Sequence, residues 1–254
     1  MNQPALGIDI GGSGIKAGFV NLDTGELLGE RIKIDTPIPS TPDAVAAAIK
    51  DLIQGLGWKG DKIGCGFPSV IQDGVALTAA NIDKQWMYTN VEELLHRYTG
   101  HKYYVINDAD AAGMAERMYG CIKNEKGTIL MLTLGTGIGS ALFYDGVLIP
   151  NTEFGHLIYR GSIAEDWVSN RARKDRMMEY DTWASELAEF LDYTILLLAP
   201  RKIVLGGGVS FKFDEFARHF EQLRVPVINA AMYNDAGIIG AAVAAYPELM
   251  APFV

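Results

Sequence analysis

Cysteine is scarce in this chain of 254 residues: only Cys65 and Cys121 occur. They show neither CxxC nor zinc-ligand spacing, which excludes a disulfide framework. Both read as free thiols of a reducing compartment. Basic residues are also in deficit, with 22 Lys and Arg against 31 Asp and Glu and a net charge of −9. Nucleic acid and anionic membrane are therefore not expected partners without a local basic patch. Long hydrophobic runs are missing too. The longest, "AGIIGAAVAAY" from Ala236 to Tyr246, falls short of the ~18 residues of a membrane span, and Pro247 stops it. The opening "MNQPALGID" has no basic n-region and no apolar h-region, so a cytoplasmic protein with no membrane partner is expected.

Apolar residues make up 49%, and 28 glycines are present. The length suits one large domain or two smaller ones sharing a cleft. Glycines cluster in three loops, each after an apolar strand: "DIGGSGIK", "TLGTGIGS" and "VLGGGVS". The first contains Gly12-x-Gly14-x-x-Ala17, which on paper fits a dinucleotide fingerprint. That fingerprint needs a long helix opening on its last glycines, and the turn residues Asn21 to Gly25 arrive too soon. No Gly-Lys-Ser/Thr closes the loop, which excludes a Walker loop. The pattern instead predicts a hairpin, "ALGIDI" then "KAGFV", followed by a third strand in "LLGERIKI".

The second half, from Thr128, echoes the first: strand, glycine hairpin, strand "SALFY", acidic Gly turn Asp145-Gly146, strand. Two copies predict duplicated lobes facing each other across a cleft, where ligands bind. Between them, Thr41-Pro42 and "DAVAAAIKDLI" read as a capped helix. "KIGCGFP" reads as a buried strand, and "YYVINDADAAGMAERMYG" as strand, Asn/Asp cap and helix. Later, "DTWASELAEFLDYTILLLA" reads as a long helix, and "RKIVLGGGVSFKFDEFARHF" as strand, triple glycine and helix.

Glycine lets backbone N–H groups approach an anion closely, so three such loops point to a phosphate or nucleotide clamp. Asp9 ends the first strand beside its loop, where a carboxylate suits Mg²⁺, directly or through water, or else caps the turn. Lys16 meets a phosphate or is solvated. Asn107, Asp108 and Asp110 sit at a strand's carboxyl end, where a carboxylate can take a proton from a sugar hydroxyl. One of them is needed as helix N-cap. Glu153 and His156 in "NTEFGHL", with Glu165 after them, offer donors and acceptors to sugar hydroxyls; a lone His is more often structural, but beside Glu153 and Gly155 spacing alone favours neither reading. The run "RARKDR", Arg171 to Arg176, is either a solvated helix face or a receptor for a polyanion.

Taken together, "GIDIGGSGIK", "TAANIDKQW", "NDADAAGMAE", "LTLGTGIGSALF", "PNTEFGHL" and "LGGGVS" resemble the bacterial ROK-family sugar kinases of the actin/hexokinase-like superfamily. The resemblance runs from Leu6 to about Tyr246. It implies an α/β, two-lobed actin/hexokinase-like (ribonuclease H-like) fold, with duplicated sheet-plus-helix domains around a cleft. The lobes would be residues 1–108, joined by a C-terminal helix at about 236–254, and residues 109–235. It implies phosphorylation of glucose at the 6-hydroxyl with Mg²⁺, by a homodimer, with inorganic polyphosphate, ATP or both as donor.

By the same resemblance Asp108 is the general base and Asn107 its sugar-binding neighbour. Glu153, His156 and Glu165 hold glucose hydroxyls, with Ser69 and Asn81 as further candidates. Asp9, Gly11, Gly12, Ser13, Gly14 and Lys16 form a first phosphate loop, with Asp9 toward Mg²⁺. Thr133, Gly135, Thr136 and Gly137 form a second, and Gly206, Gly207 and Gly208 face adenosine. Many ROK proteins carry a cysteine-rich zinc motif after the EFGH-type motif; here "LIYRGSIAEDW" has no cysteine, so no structural zinc is expected. Polyphosphate needs a basic track, for which Lys84, Lys123, Lys126 and Arg171 to Arg176 are candidates. A strictly ATP-dependent glucokinase, a glucomannokinase and a non-catalytic sugar-binding regulator are the alternatives.

Overall fold

The computed structural model describes residues 4–250. They form two compact units, residues 4–119 with 235–250, and Gly120–Asn234. The first unit contains β1 (Ala5–Ile10), β2 (Gly14–Val20), β3 (Ile32–Asp35), α1 (Pro42–Leu56) and β4 (Lys62–Phe67). A small hairpin, β5 (Ile71–Gln72) and β6 (Val75–Ala76), precedes α2 (Val91–Thr99), β7 (Lys102–Asn107) and α3 (Asp108–Met118). The second unit contains β8 (Thr128–Leu134), β9 (Ile138–Tyr144), β10 (Val147–Ile149) and a hairpin of β11 (Ile158–Tyr159) and β12 (Ser162–Ile163). It continues through α4 (Glu165–Val168), α5 (Asn170–Asp175), α6 (Tyr180–Leu198), β13 (Lys202–Gly206) and β14 (Val227–Asn229). The chain then returns to the first unit as α7 (Ala236–Ala244).

Both units are built on the same plan. The first sheet has the order β3-β2-β1-β4-β7, the second β10-β9-β8-β13-β14. In each, the first three strands of the list pair antiparallel and the last three parallel. The sequence repeat is therefore a structural one. The β1–β2 loop is a hairpin turn closed by Gly11 N–H on the Gly14 carbonyl at 2.9 Å, not a strand-to-helix phosphate turn.

The pleat of β1 sorts its residues by face. Leu6, Ile8 and Ile10 join Val45, Ile49 and Ile53 of α1 and Leu95 of α2 in one core. The other face is covered by α7 at a distance only glycine allows. A Cβ at Gly7 would lie 2.0 Å from the Ile238 carbonyl oxygen, and one at Gly64 only 1.6 Å from that of Ala241. In the second unit Leu130, Leu132 and Leu134 of β8 pack with Trp183, Leu187, Phe190 and Leu191 of α6.

Three details depart from expectation. The third strand begins at Ile32, not Leu27: Leu27 makes one bridge to Val20, and Gly29 at φ +96° breaks the extended run. The segment after the triple glycine is not an α-helix but two 3-10 turns, Ser210–Glu215 and Ala217–Phe220. Phe213 and Phe216, three residues apart, both reach the core, which suits the three-residue repeat of a 3-10 turn. The first unit runs to Tyr119, past the expected residue 108, because α3 packs on α7 so tightly that a Cβ at Gly240 would lie 1.6 Å from the Ala111 carbonyl oxygen.

Candidate active site

In the first unit the candidate groups collect at the carboxyl ends of β1, β4 and β7. Asp9 lies on the α7 face of its strand, and Gly237 makes room for it: a Cβ there would come within 2.8 Å of Asp9 Cγ. Lys16, opposite Asp9 in the β1–β2 register, holds Asp9 Oδ2 at 2.8 Å. Gly66, the parallel neighbour of Asp9 on β4, stands between two acids. A Cβ at that position would be 3.8 Å from Asp9 Oδ1 and 3.6 Å from Asp108 Cα. Among the described residues no three His, Cys, Asp or Glu side chains gather into a metal cage. Mg²⁺ does not require one, since it keeps several waters and binds through one or two carboxylates plus substrate phosphates. Asp9, with Oδ1 turned toward Gly66, fits that description.

Asn107 is the N-cap of α3. Its Oδ1 accepts from Ala109 N at 2.9 Å and Asp110 N at 3.1 Å, while Nδ2 donates to the Ser69 carbonyl at 3.1 Å. The cap thereby leaves Asp108 at the first helical position, half-buried, with Oδ1 accepting from Ala109 N at 2.8 Å. Ser69 is buried, and its single O–H proton goes to the Val70 and Thr78 carbonyls at 3.0 and 2.8 Å. Its side chain thus staples a loop, and its backbone holds Asn107. Asn81 is exposed and lies beside the first glycine loop: a Cβ at Gly12 would meet its carbonyl oxygen at 2.5 Å. Thr36 Oγ1 donates to the Gly11 carbonyl at 2.6 Å, which fixes the other side of that loop.

In the second unit the remaining candidates gather around the start of β9. The Thr133–Gly137 loop is closed by Gly135 N–H on the Gly137 carbonyl at 3.0 Å. Buried Ser140 accepts from Phe154 N at 3.1 Å and donates to the Thr152 carbonyl at 2.6 Å, which draws the Glu153–His156 turn onto β9. Gly155 fits there because a Cβ would lie 2.3 Å from the Ile138 carbonyl oxygen. Glu153 Oε2 faces His156 Nδ1 at 3.3 Å. Burial holds the Glu153 carboxyl above its ordinary range; His156 opposes the shift and Glu165 adds to it. Glu165 is 8% exposed, and its Oε2 accepts from Ile138 N at 3.2 Å. Gly207 has φ +81°, and a Cβ there would press within 2.7 Å of the Leu134 backbone. The triple-glycine loop thus lies against the end of β8, while Gly135 and Gly208 both face open space.

The basic run is mostly committed within the unit. Arg176 makes a bidentate pair with Glu186 at 2.7 and 2.8 Å. Arg173 donates to Asn170 Oδ1 and the Met178 carbonyl and lies 4.1 Å above the Tyr180 ring. Arg171 is looser, 3.9 Å from Glu165 Oε1. Lys84, Lys123 and Lys126 are exposed. Sequence reading also passed over a pair of exposed aromatics, one just beyond the triple glycine and one after β14. Phe211 and Tyr233 stack with ring centroids 4.9 Å apart, a contact between residues too far apart in sequence for periodicity to reveal.

The family model described as "ROK family" matches residues 5–173. The chain belongs to the ROK family. A relative, the polyphosphate glucokinase of Mycobacterium tuberculosis (strain CDC 1551 / Oshkosh), is 46% identical over 96% of this chain and 91% of its own. The solved inorganic polyphosphate/ATP-glucomannokinase of Arthrobacter sp. strain KM is 44% identical, with a TM-score of 0.92 over 95% of this chain and 98% of that one. A ROK family glucokinase from Streptomyces griseus, solved with glucose and AMPPNP, shares the fold at 23% identity and a TM-score of 0.82, covering 96% of this chain and 99% of that one. The two matching five-stranded sheets are those of the actin/hexokinase-like ROK fold. Among the described residues of this ROK protein no helix is long and apolar enough to cross a membrane.

Proposed function

We propose that this chain transfers a phosphoryl group to the 6-hydroxyl of glucose from inorganic polyphosphate or ATP. The observation that carries the reading is the meeting of Asp9 and Asp108 at Gly66, in a chain whose relatives at 44–46% identity are polyphosphate kinases of glucose by name. Asp108 accepts the hydroxyl proton as the O6–P bond forms and the donor's bridging P–O bond breaks. The leaving group is ADP, or polyphosphate one unit shorter. Lys16 and the N–H groups of Gly12, Ser13 and Gly14 steady the donor, Gly11 shapes their turn through its bond to the Gly14 carbonyl, and Asn107 turns its remaining amide proton to the sugar. Mg²⁺ beside Asp9 supplies charge neutralisation at the phosphates when bound. Glu153, His156 and Glu165 take glucose hydroxyls, Thr133, Gly135, Thr136 and Gly137 take phosphate, and Gly206, Gly207 and Gly208 take the adenosine of ATP. The same reading makes the enzyme a cytoplasmic homodimer. Because one relative is a glucomannokinase, mannose is a second acceptor to assay.

A coupled assay for glucose 6-phosphate with each donor tests the proposal; no product from either donor overturns it. The donors separate further at the stacked rings. A nucleobase stacks on an aromatic face for about 1–3 kcal/mol, whereas polyphosphate has no base. Phe211→Ala is expected to raise KM for ATP about tenfold, corresponding to ~1.4 kcal/mol, with KM for polyphosphate unchanged. Equal effects on both donors would remove Phe211 from the base site.

Glu153 sets an acid limb. Its carboxyl is held above the ordinary 4.5, so as pH falls it takes up a proton earlier than an exposed Glu and loses acceptor capacity toward a hydroxyl. KM for glucose should rise on a limb centred above pH 4.5, and Glu153→Gln should raise KM and remove the limb. Between 4.5 and that higher value the folded state binds the extra proton, so the Glu153 contribution to stability decreases as pH rises through this window.

A further inference from the structure

We propose that Arg171 senses the phosphoryl donor: it leaves Glu165 for the donor's phosphate and thereby links donor binding to sugar binding. This rests on the function proposed above and assigns within it a residue and a coupling. The backbone of Arg171 is anchored on the second glycine loop, with its N–H donating to the Gly135 carbonyl at 3.1 Å. Buried Ser169 caps α5 behind it, accepting from Ala172 N at 3.0 Å. Among the described residues the guanidinium has no such anchor. It stands 3.9 Å from Glu165 Oε1, beyond hydrogen-bond length, and its side chain is 43% exposed. Arg173 and Arg176, by contrast, are locked onto Tyr180 and Glu186.

Glu165 is the shared point. One oxygen holds the Ile138 N–H at the end of the glycine loop, and the other faces Arg171. A buried carboxylate with one firm partner and one distant cation is short of donors. A guanidinium beside an open glycine loop matches the fork of a phosphate, and Gly135 leaves the space above the loop clear. When Arg171 turns to a phosphate, Glu165 Oε1 is left for a sugar hydroxyl to donate to. Donor binding thus tightens sugar binding, and sugar tightens donor binding by the same factor.

The test uses tripolyphosphate as donor probe and isothermal titration without turnover. For the wild-type chain, glucose Kd should fall about fivefold or more when tripolyphosphate is present. Arg171→Ala should bind tripolyphosphate about tenfold more weakly, with a shallower salt dependence. It should also abolish the coupling, because Glu165 Oε1 is then open at all times: glucose Kd without donor should already lie about fivefold or more below wild type, near the value wild type reaches with tripolyphosphate. Arg171→Lys keeps the charge but not the fork, so it should recover part of the affinity. It carries the test should the alanine variant melt early. Unchanged tripolyphosphate affinity in Arg171→Ala, or coupling that survives it, overturns the proposal. A wild-type chain that makes no glucose 6-phosphate overturns the kinase reading instead, and these binding measurements still decide the role of Arg171.

Discussion

Replacing Asp108 by Asn is expected to lower kcat by about 10²–10⁴-fold, the usual worth of a positioned general base, with the fold and the glucose Kd nearly unchanged. The fold survives because Asp108 is not the cap. Asn107 satisfies the first N–H groups of α3, and an Asn at 108 keeps an oxygen for the Ala109 N–H that Asp108 now holds. What the helix loses is a negative charge in its first turn, worth about 0.3–1 kcal/mol. Stopped-assay kcat, glucose titration and a melting curve measure the three quantities. Near-normal kcat would mean that another group takes the proton. Asn107→Ala should give the opposite profile, because it removes the cap, which costs about 1 kcal/mol, and frees the Ser69 loop.

Gly240→Ala should be among the most damaging single changes in the first unit, although ordinary helix propensity argues the other way. Alanine is favoured over glycine within a helix by about 1 kcal/mol. At Gly240, however, the new methyl would fall 1.6 Å from the Ala111 carbonyl oxygen of α3. That oxygen belongs to backbone and cannot rotate away, so α3 and α7 must separate. Overpacking of this kind costs about 3 kcal/mol or more, which in a chain of this size lowers Tm by about 6–12 °C. Because α3 begins with Asp108, activity should fall alongside. Gly55→Ala in α1 is the matched control. A Cβ there meets nothing within 4 Å, so the propensity gain stands alone and Tm should hold or rise. If both variants melt alike, close backbone approach is not what fixes α7.

These contrasts show which parts of the molecule local sequence encodes. The glycine hairpins, the Thr41 cap, the strand running into Asn107 and the repeat of two halves are short-range patterns, and each was legible. Glycines in β1 and β4 mark a close backbone approach, but nothing in "LGID" or "IGCG" says that α7, far along the chain, is what approaches. The run "RARKDR" reads as a free basic patch because the groups that engage Arg176 and Arg173, the Glu186 carboxylate and the Tyr180 ring, lie on another helix. Ser69 reads as a ligand until its O–H is found on the carbonyls of its own loop. Side-chain commitments of this kind are tertiary and leave no mark on spacing.

The return of α7 to the first sheet also sets an order of events at the ribosome. Gly7, Gly18 and Gly64 await a helix translated only after all of Gly120–Asn234, a delay of several seconds at about 5–20 residues per second. The half made first is therefore finished last. Until then the part of that face over Gly7, Gly18 and Gly64 is uncovered beside α3, a surface that chaperones and proteases can reach and that a nascent chain stalled before residue 236 never covers.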